Sequence, residues 1–144
     1  MQIETLHAMT SARIALIPIG STLRAAALAL SRPQVGLAIV CDGKKAAGVI
    51  SKSDIIRHLT NVGVADAAVA TLMNRSMVFC RPDDELHATW QMMAAQSLQN
   101  MPVLDVDLVP LGILDIRDAL QVLFKNEEYQ EHLLLNYVGG VGYQ

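Results

Sequence analysis

Gly48-Val49-Ile50-Ser51-Lys52-Ser53-Asp54-Ile55 and Gly112-Ile113-Leu114-Asp115-Ile116-Arg117-Asp118-Ala119 are two copies of one pattern, set 64 residues apart. A repeat of this length decides the architecture before any single element does. Reading backwards at the same offset of 64, Leu37-Ala38-Ile39-Val40 meets Met101-Pro102-Val103-Leu104, Pro18 meets Pro82 and Met9 meets Met73. Leu23 and Ala25 meet Leu86 and Ala88 at 63, so one residue is gained in or just after the second copy's first helix. Paired core positions keep apolar character even where identity is lost.

Each copy carries the same succession of signals. A short apolar run, Ile14 to Ile17 or Met77 to Cys80, leads into a Pro-containing turn. A helix is predicted from Thr22 to about Ser31 and from Glu85 to about Ser97, with apolar residues spaced by three and four. These are Leu23, Ala26, Ala27 and Leu30 in one copy, and Leu86, Trp90, Met93 and Ala94 in the other. Two apolar strand runs follow, separated by Asp42-Gly43 in the first copy and Val106-Asp107 in the second. Asp-Gly supplies the positive φ of a tight hairpin. A closing helix is predicted from Ser53 to about Thr60 and from Ile116 to about Val138. The expected fold class is α/β (α+β): two pseudo-symmetric β-α-β-β-α repeats packed sheet to sheet. The strand runs do not alternate polar with apolar, which implies burial on both faces. One copy alone would bury too little surface to be stable. The division is a first repeat with its N-terminal segment (1–64), a second repeat (65–126), and a helix extension and tail (127–144).

Composition agrees and excludes several classes. The chain has 144 residues, 52% hydrophobic and 17% charged, with a net charge of -3. That excludes intrinsic disorder. Without a Lys/Arg stripe it also argues against a nucleic-acid partner. No apolar stretch approaches the ~18 residues of a membrane span, and Met1 to Thr5 lacks signal-peptide character. A cytoplasmic location is expected. Cys41 and Cys80, 39 residues apart and outside any metal-binding spacing, read as reduced, buried thiols. His7, His58, His87 and His132 share no ligand spacing. Gly139-Gly140-Val141-Gly142 is followed by too few residues to form the helix that a phosphate loop needs. No nucleophile, base and orienting group can be assembled, so no enzyme is expected.

The doubled pattern resembles the CBS domain pair, or Bateman module, across residues 9–60 and 73–124. The resemblance rests on Met101-Pro102-Val103-Leu104-Asp105, the short hairpins, and Gly-apolar-apolar-Ser-x-x-Asp opening a helix. It implies a central cleft for an adenosine-containing ligand (AMP, ADP or ATP, or S-adenosylmethionine) and assembly of modules into flat discs. It assigns Ser51 and Ser53 to phosphate and Asp54 to ribose. Elementary chemistry agrees, since a helix start favours phosphate and a carboxylate accepts both hydrogens of a diol. The same Ser-x-x-Asp is also a capping box, so Asp54 carries two readings side by side. By resemblance, the opposite repeat completes the site with Asn74, Val78, Leu98 and Gln99, apolar members sandwiching the adenine.

The same resemblance implies a second, weaker site at Asp118 and Arg117, completed by Ala12, Ile14, Gln34 and Val35. There Asp115 replaces the serine hydroxyl with a carboxylate, so a phosphate meets a like charge. Two unit charges ~4 Å apart repel by at most roughly 4 kcal/mol near a surface. Arg117 offsets this only if it turns inward. A capping role survives the change. The final helix carries Leu120, Leu123 and Phe124, assigned to the core, and Tyr129, Leu133, Leu134 and Tyr137, assigned to a homodimer contact. The sequence reading is thus a non-enzymatic module that requires no cofactor or metal. It senses an adenosine-type ligand and alters dimer or partner geometry. The alternatives are an oligomerisation or adaptor module with vestigial sites, and a sensor of an S-adenosylmethionine- or NAD-type ligand.

Overall fold

The computed structural model describes residues 1–61, 66–126 and 135. In the first repeat, strands β1 (Leu16–Pro18), β2 (Leu37–Asp42) and β3 (Lys45–Ser51) form a sheet in the order β1-β2-β3. β1 runs parallel to β2, and β2 antiparallel to β3. Gly43 turns the hairpin with φ +64°, as the Asp-Gly pair requires. Helix α2 (Leu23–Leu30) begins at Thr22, whose side chain accepts the Ala25 N–H, and α3 (Lys52–Asn61) follows β3.

The second repeat has α4 (Leu86–Ala95), β4 (Asn100–Leu104), β5 (Pro110–Asp115) and α5 (Ile116–Lys125). Its expected first strand, Met77 to Cys80, shrinks to one parallel bridge between Cys80 and Val103, leaving a two-stranded sheet. The β4-β5 turn lacks glycine, and Leu108 takes the positive φ of 65° instead. The predicted continuation of α5 to Val138, and with it the contact assigned to Tyr129, Leu133, Leu134 and Tyr137, lies outside the described residues.

The central residues of β2 to β5 are buried on both faces because each face has its own core, whereas β1 leaves Leu16 and Pro18 exposed. Ala38, Val40 and Ile50 turn towards α2, joining Leu23, Ala26 and Leu30. Met101, Val103 and Leu114 do the same beneath Leu86 and Met93. The opposite faces supply Ile39, Cys41, Val49, Leu104 and Ile113, which meet as a third core between the repeats. The period of two along a strand makes this division. Cys41 and Cys80 are buried and free, as expected.

Helix assignments need three corrections. Ala94 on the expected apolar stripe of α4 is exposed, and so are Leu120 and Phe124, expected in the core; of the α5 trio only Leu123 is buried. A three-and-four spacing marks a stripe wider than the surface that a two-stranded sheet can cover.

One element was not anticipated. A 3-10 turn (Ile3–Leu6) and helix α1 (His7–Ala12) lead the chain, and they pack on the second repeat: Ile3 and Leu6 enter its core. The N–H groups of Ile3 and Glu4 donate to the carbonyls of Asp84 and Pro82. Reciprocally, the Leu23 N–H donates to Ala67 and the Val69 N–H to Ser21, and Val69 and Met73 enter the first core. Each repeat therefore lends its leading segment to the other. At the crossing points a glycine is required: a Cβ on Gly112 would lie 2.7 Å from Thr10, and one on Gly48 would lie 2.9 Å from the Asn74 carbonyl.

Candidate functional site

The crevice at Asp54 forms where β3 passes into α3 and the leading segment of the second repeat crosses in front. Asn74 pairs with Val49 through two backbone hydrogen bonds, which brings the segment from Asn74 to Val78 against the first sheet. A cavity of about 210 Å³ opens there, lined by Leu37, Val49, Ser51 and Asp54 from the first repeat. Asn74, Ser76, Met77, Val78, Leu98, Asn100 and Pro102 close it from the second. On the other side of Asp54, a hollow of about 230 Å³ is lined by Arg57, His58, Asn61 and Leu72. Each is smaller than the ~300 Å³ lower bound of typical ligand sites, and Asp54 belongs to both.

Ser51 caps α3, and Asp54 completes the capping box. The Asp54 Oδ2 accepts the Ser51 N–H at 3.0 Å, and the Ser51 hydroxyl accepts the Asp54 N–H at 3.2 Å. Oδ1 accepts from Arg57 at 3.2 Å. This leaves room for a ligand. A carboxylate offers about four acceptor positions, and the Arg57 pair is a side-chain contact at 66% exposure, worth roughly 0.3–0.5 kcal/mol. Capping and diol binding are compatible on this group.

Asn74, Val78 and Leu98 line the cavity with Ser51 and Asp54. Ser53 lies exposed on the first turn of α3. Gln99 is also exposed, and its carbonyl accepts the Ile116 N–H. Neither is among the lining residues.

The Asp118 crevice is built on the same plan and filled differently. The Arg13 guanidinium forks onto Asp118, its Nε on Oδ2 and its Nη2 3.0 Å from Oδ1. The Arg13 Nη1 donates to the Gln34 carbonyl at 2.8 Å and lies 3.6 Å from Asp115. Arg32 donates to the carbonyls of Ile14 and Ala12 at 3.2 and 3.3 Å. Val35 is core. The Asp118 hydrogen bond pushes the Arg13 guanidinium above its already high pKa, against the opposing effect of burial.

Asp115, 2% exposed, caps α5 through the Arg117 N–H at 2.8 Å. Arg117 turns back onto it, with Nε and Nη2 at 3.0 and 2.8 Å from the two carboxylate oxygens. Burial pushes the Asp115 carboxyl up, but the Arg117 hydrogen bonds outweigh it and hold the group below its ordinary value. The expected capping box is only half formed: among the described residues, Asp118 leaves it for Arg13.

The profile of the CBS domain matches residues 4–61 and 69–125, two copies that together span most of the chain. The chain belongs to the CBS domain family. None of the curated proteins matches the sequence. Among solved structures, the CBS pair is similar to a CBS domain protein from Pyrobaculum aerophilum complexed with AMP. The TM-score is 0.75 at 21% identity, covering 93% of this chain and 98% of that one. It is similar to the CBS domain pair of protein MJ0100 in complex with 5′-methylthioadenosine and S-adenosyl-L-methionine, with TM-score 0.73, 17% identity, and 85% and 94% coverage. The cytosolic domain of the Mg2+ channel MgtE in complex with ATP has TM-score 0.65 and 26% identity, with 76% of this chain and 45% of that one covered.

Several residues of this CBS pair's crevices escaped the sequence reading: Arg57, Met77 and Asn100 on one side, Arg13 and Arg32 on the other. Arg13 had a visible signal. At the offset of 64 it stands opposite Met77, a charged residue paired with an apolar one.

Proposed function

We propose that this CBS pair is a non-catalytic regulatory module that senses an adenosine-containing ligand of the AMP, ADP or ATP class in the Asp54 crevice. The observation that carries this reading is the position of the Asp54 carboxylate, 33% exposed at the edge of an apolar cavity between the repeats. Val78, Leu98 and Met77 offer adenine apolar walls. Asp54 accepts the ribose diol when Arg57 swings away, and Ser51 with the α3 start faces the first phosphate. The AMP, S-adenosyl-L-methionine and ATP in similar structures support the same ligand chemistry. A ligand acts as a signal only if it binds two arrangements with different affinity. A homodimer or partner protein is the natural reader.

A second reading, an oligomerisation or adaptor module, draws support from the equivalent exposed residues Ile56 on α3 and Leu120 on α5, and from Leu59 and Phe124 beside them. Calorimetric titration of wild type and Asp54→Ala with AMP, ADP, ATP, NAD and S-adenosylmethionine separates the two. Loss of a charge-assisted pair worth roughly 1.5–3 kcal/mol weakens binding about 10- to 100-fold in Asp54→Ala. Asp54→Asn, which keeps an acceptor for the Ser51 N–H, preserves stability and still weakens binding. Absence of binding by every ligand favours the adaptor.

A further inference from the structure

We propose that Arg13 is a built-in occupant of the second crevice, so that the chain holds one adenosine-type ligand and keeps a latent site for another. The inference rests on the ligand reading of the Asp54 crevice and goes beyond it. Position 13 is equivalent to position 77 by the offset of 64, and Met77 lines the Asp54 cavity. The Arg13 side chain thus enters the space where a ligand would lie in the other half. Its fork on Asp118 reproduces what a ribose diol would do: two parallel donors, one to each carboxylate oxygen.

The backbone acceptors are consumed in the same way. The carbonyls of Ala12, Ile14 and Gln34 already receive guanidinium N–H groups from Arg32 and Arg13. The equivalent carbonyls of Ser76, Val78 and Leu98 accept none from the described residues. Displacing Arg57 from Asp54 gives up an exposed pair. Displacing Arg13 from Asp118 gives up a fork in which both side chains are largely sequestered, at 18% and 15% exposure. The same ligand therefore enters the first crevice and is excluded from the second. With Asp115 standing where Ser51 stands in the first, the opened second crevice takes a nucleoside without a phosphate.

The test is the number of ligands per chain, read by calorimetric titration of the full chain with adenosine and, separately, AMP. Arg13→Met copies Met77. Wild type is expected to bind one adenosine, and Arg13→Met two, the second lost again in Arg13→Met/Asp118→Ala. Arg13→Lys keeps a charge opposite Asp118 but frees one carboxylate oxygen; it gives a weaker second event and replaces Arg13→Met if that variant does not fold. One adenosine in wild type and in both folded Arg13 variants overturns the plug while leaving the Asp54 reading intact. Two in wild type overturns it as well. None in wild type but one in Arg13→Met supports the plug and refutes the Asp54 reading.

Discussion

Replacing Gly112 by alanine probes the exchange of leading segments that shapes both crevices. A Cβ at this position would lie 2.7 Å from the carbonyl carbon, Cβ and Oγ1 of Thr10. Ordinary carbon contacts are about 3.5–4.0 Å, so α1 must move off β5 by most of an ångström. Overpacking of this kind costs about 1–3 kcal/mol; relief of glycine's extra chain entropy returns roughly 0.5–1 kcal/mol. The net loss is at most about 2.5 kcal/mol and centres near 1 kcal/mol. With a urea m-value of about 2 kcal/mol/M, midway in the usual range, a loss near 1 kcal/mol lowers the unfolding midpoint by roughly 0.5 M at unchanged m. Gly20→Ala is the control, since nothing lies within 4 Å of its Cβ and its φ is not positive. It should be neutral or stabilising by up to about 1 kcal/mol. A Gly112→Ala protein as stable as wild type, or a Gly20→Ala protein equally weakened, would refute the close packing of α1 on β5.

Other consequences can be checked directly. The Cys80 thiol is pushed up to about 12 by burial, and Cys41 upward for the same reason. At pH 8 both should resist alkylation in the native protein, and both should label in urea, as counted by mass spectrometry. Fast native labelling contradicts this. The Cys80 shift adds stability below its unfolded value of about 8.5, and that contribution is lost as pH rises towards about 12. Asp115 has the opposite sign. Its depressed carboxyl adds stability above the unfolded value of about 3.9, lost as pH falls through the lower folded value. Urea titrations from pH 6 downward should show a flatter acid slope in Asp115→Asn than in wild type; equal slopes refute the assignment.

The repeat, its hairpins and its two-faced strands were legible because they follow from short-range pattern: Gly43 at a turn, and continuous apolar runs such as Leu37 to Cys41. Burial on helix surfaces was less so. Leu120 and Leu123 look alike along α5, and only the second meets the sheet. The destination of residues 3–12 was hidden because nothing local states which sheet a leading helix will cover, although Gly48 and Gly112 mark the two crossings in register. At the site, Asp54 was readable from its motif. Arg57, one turn further along the same helix, was not singled out, and Arg13 carried its meaning only through its pairing with Met77. Long-range charge placement is a property of the packed repeats rather than of any segment.

The most direct test of the whole account is an amide NMR titration of the wild-type chain with AMP. Saturating shifts are expected at Ser51, Asp54, Val78, Leu98 and Asn100, with the amides of Arg13, Gln34 and Asp118 left in place. Shifts centred on Asp118, or none at all at millimolar AMP, contradict it.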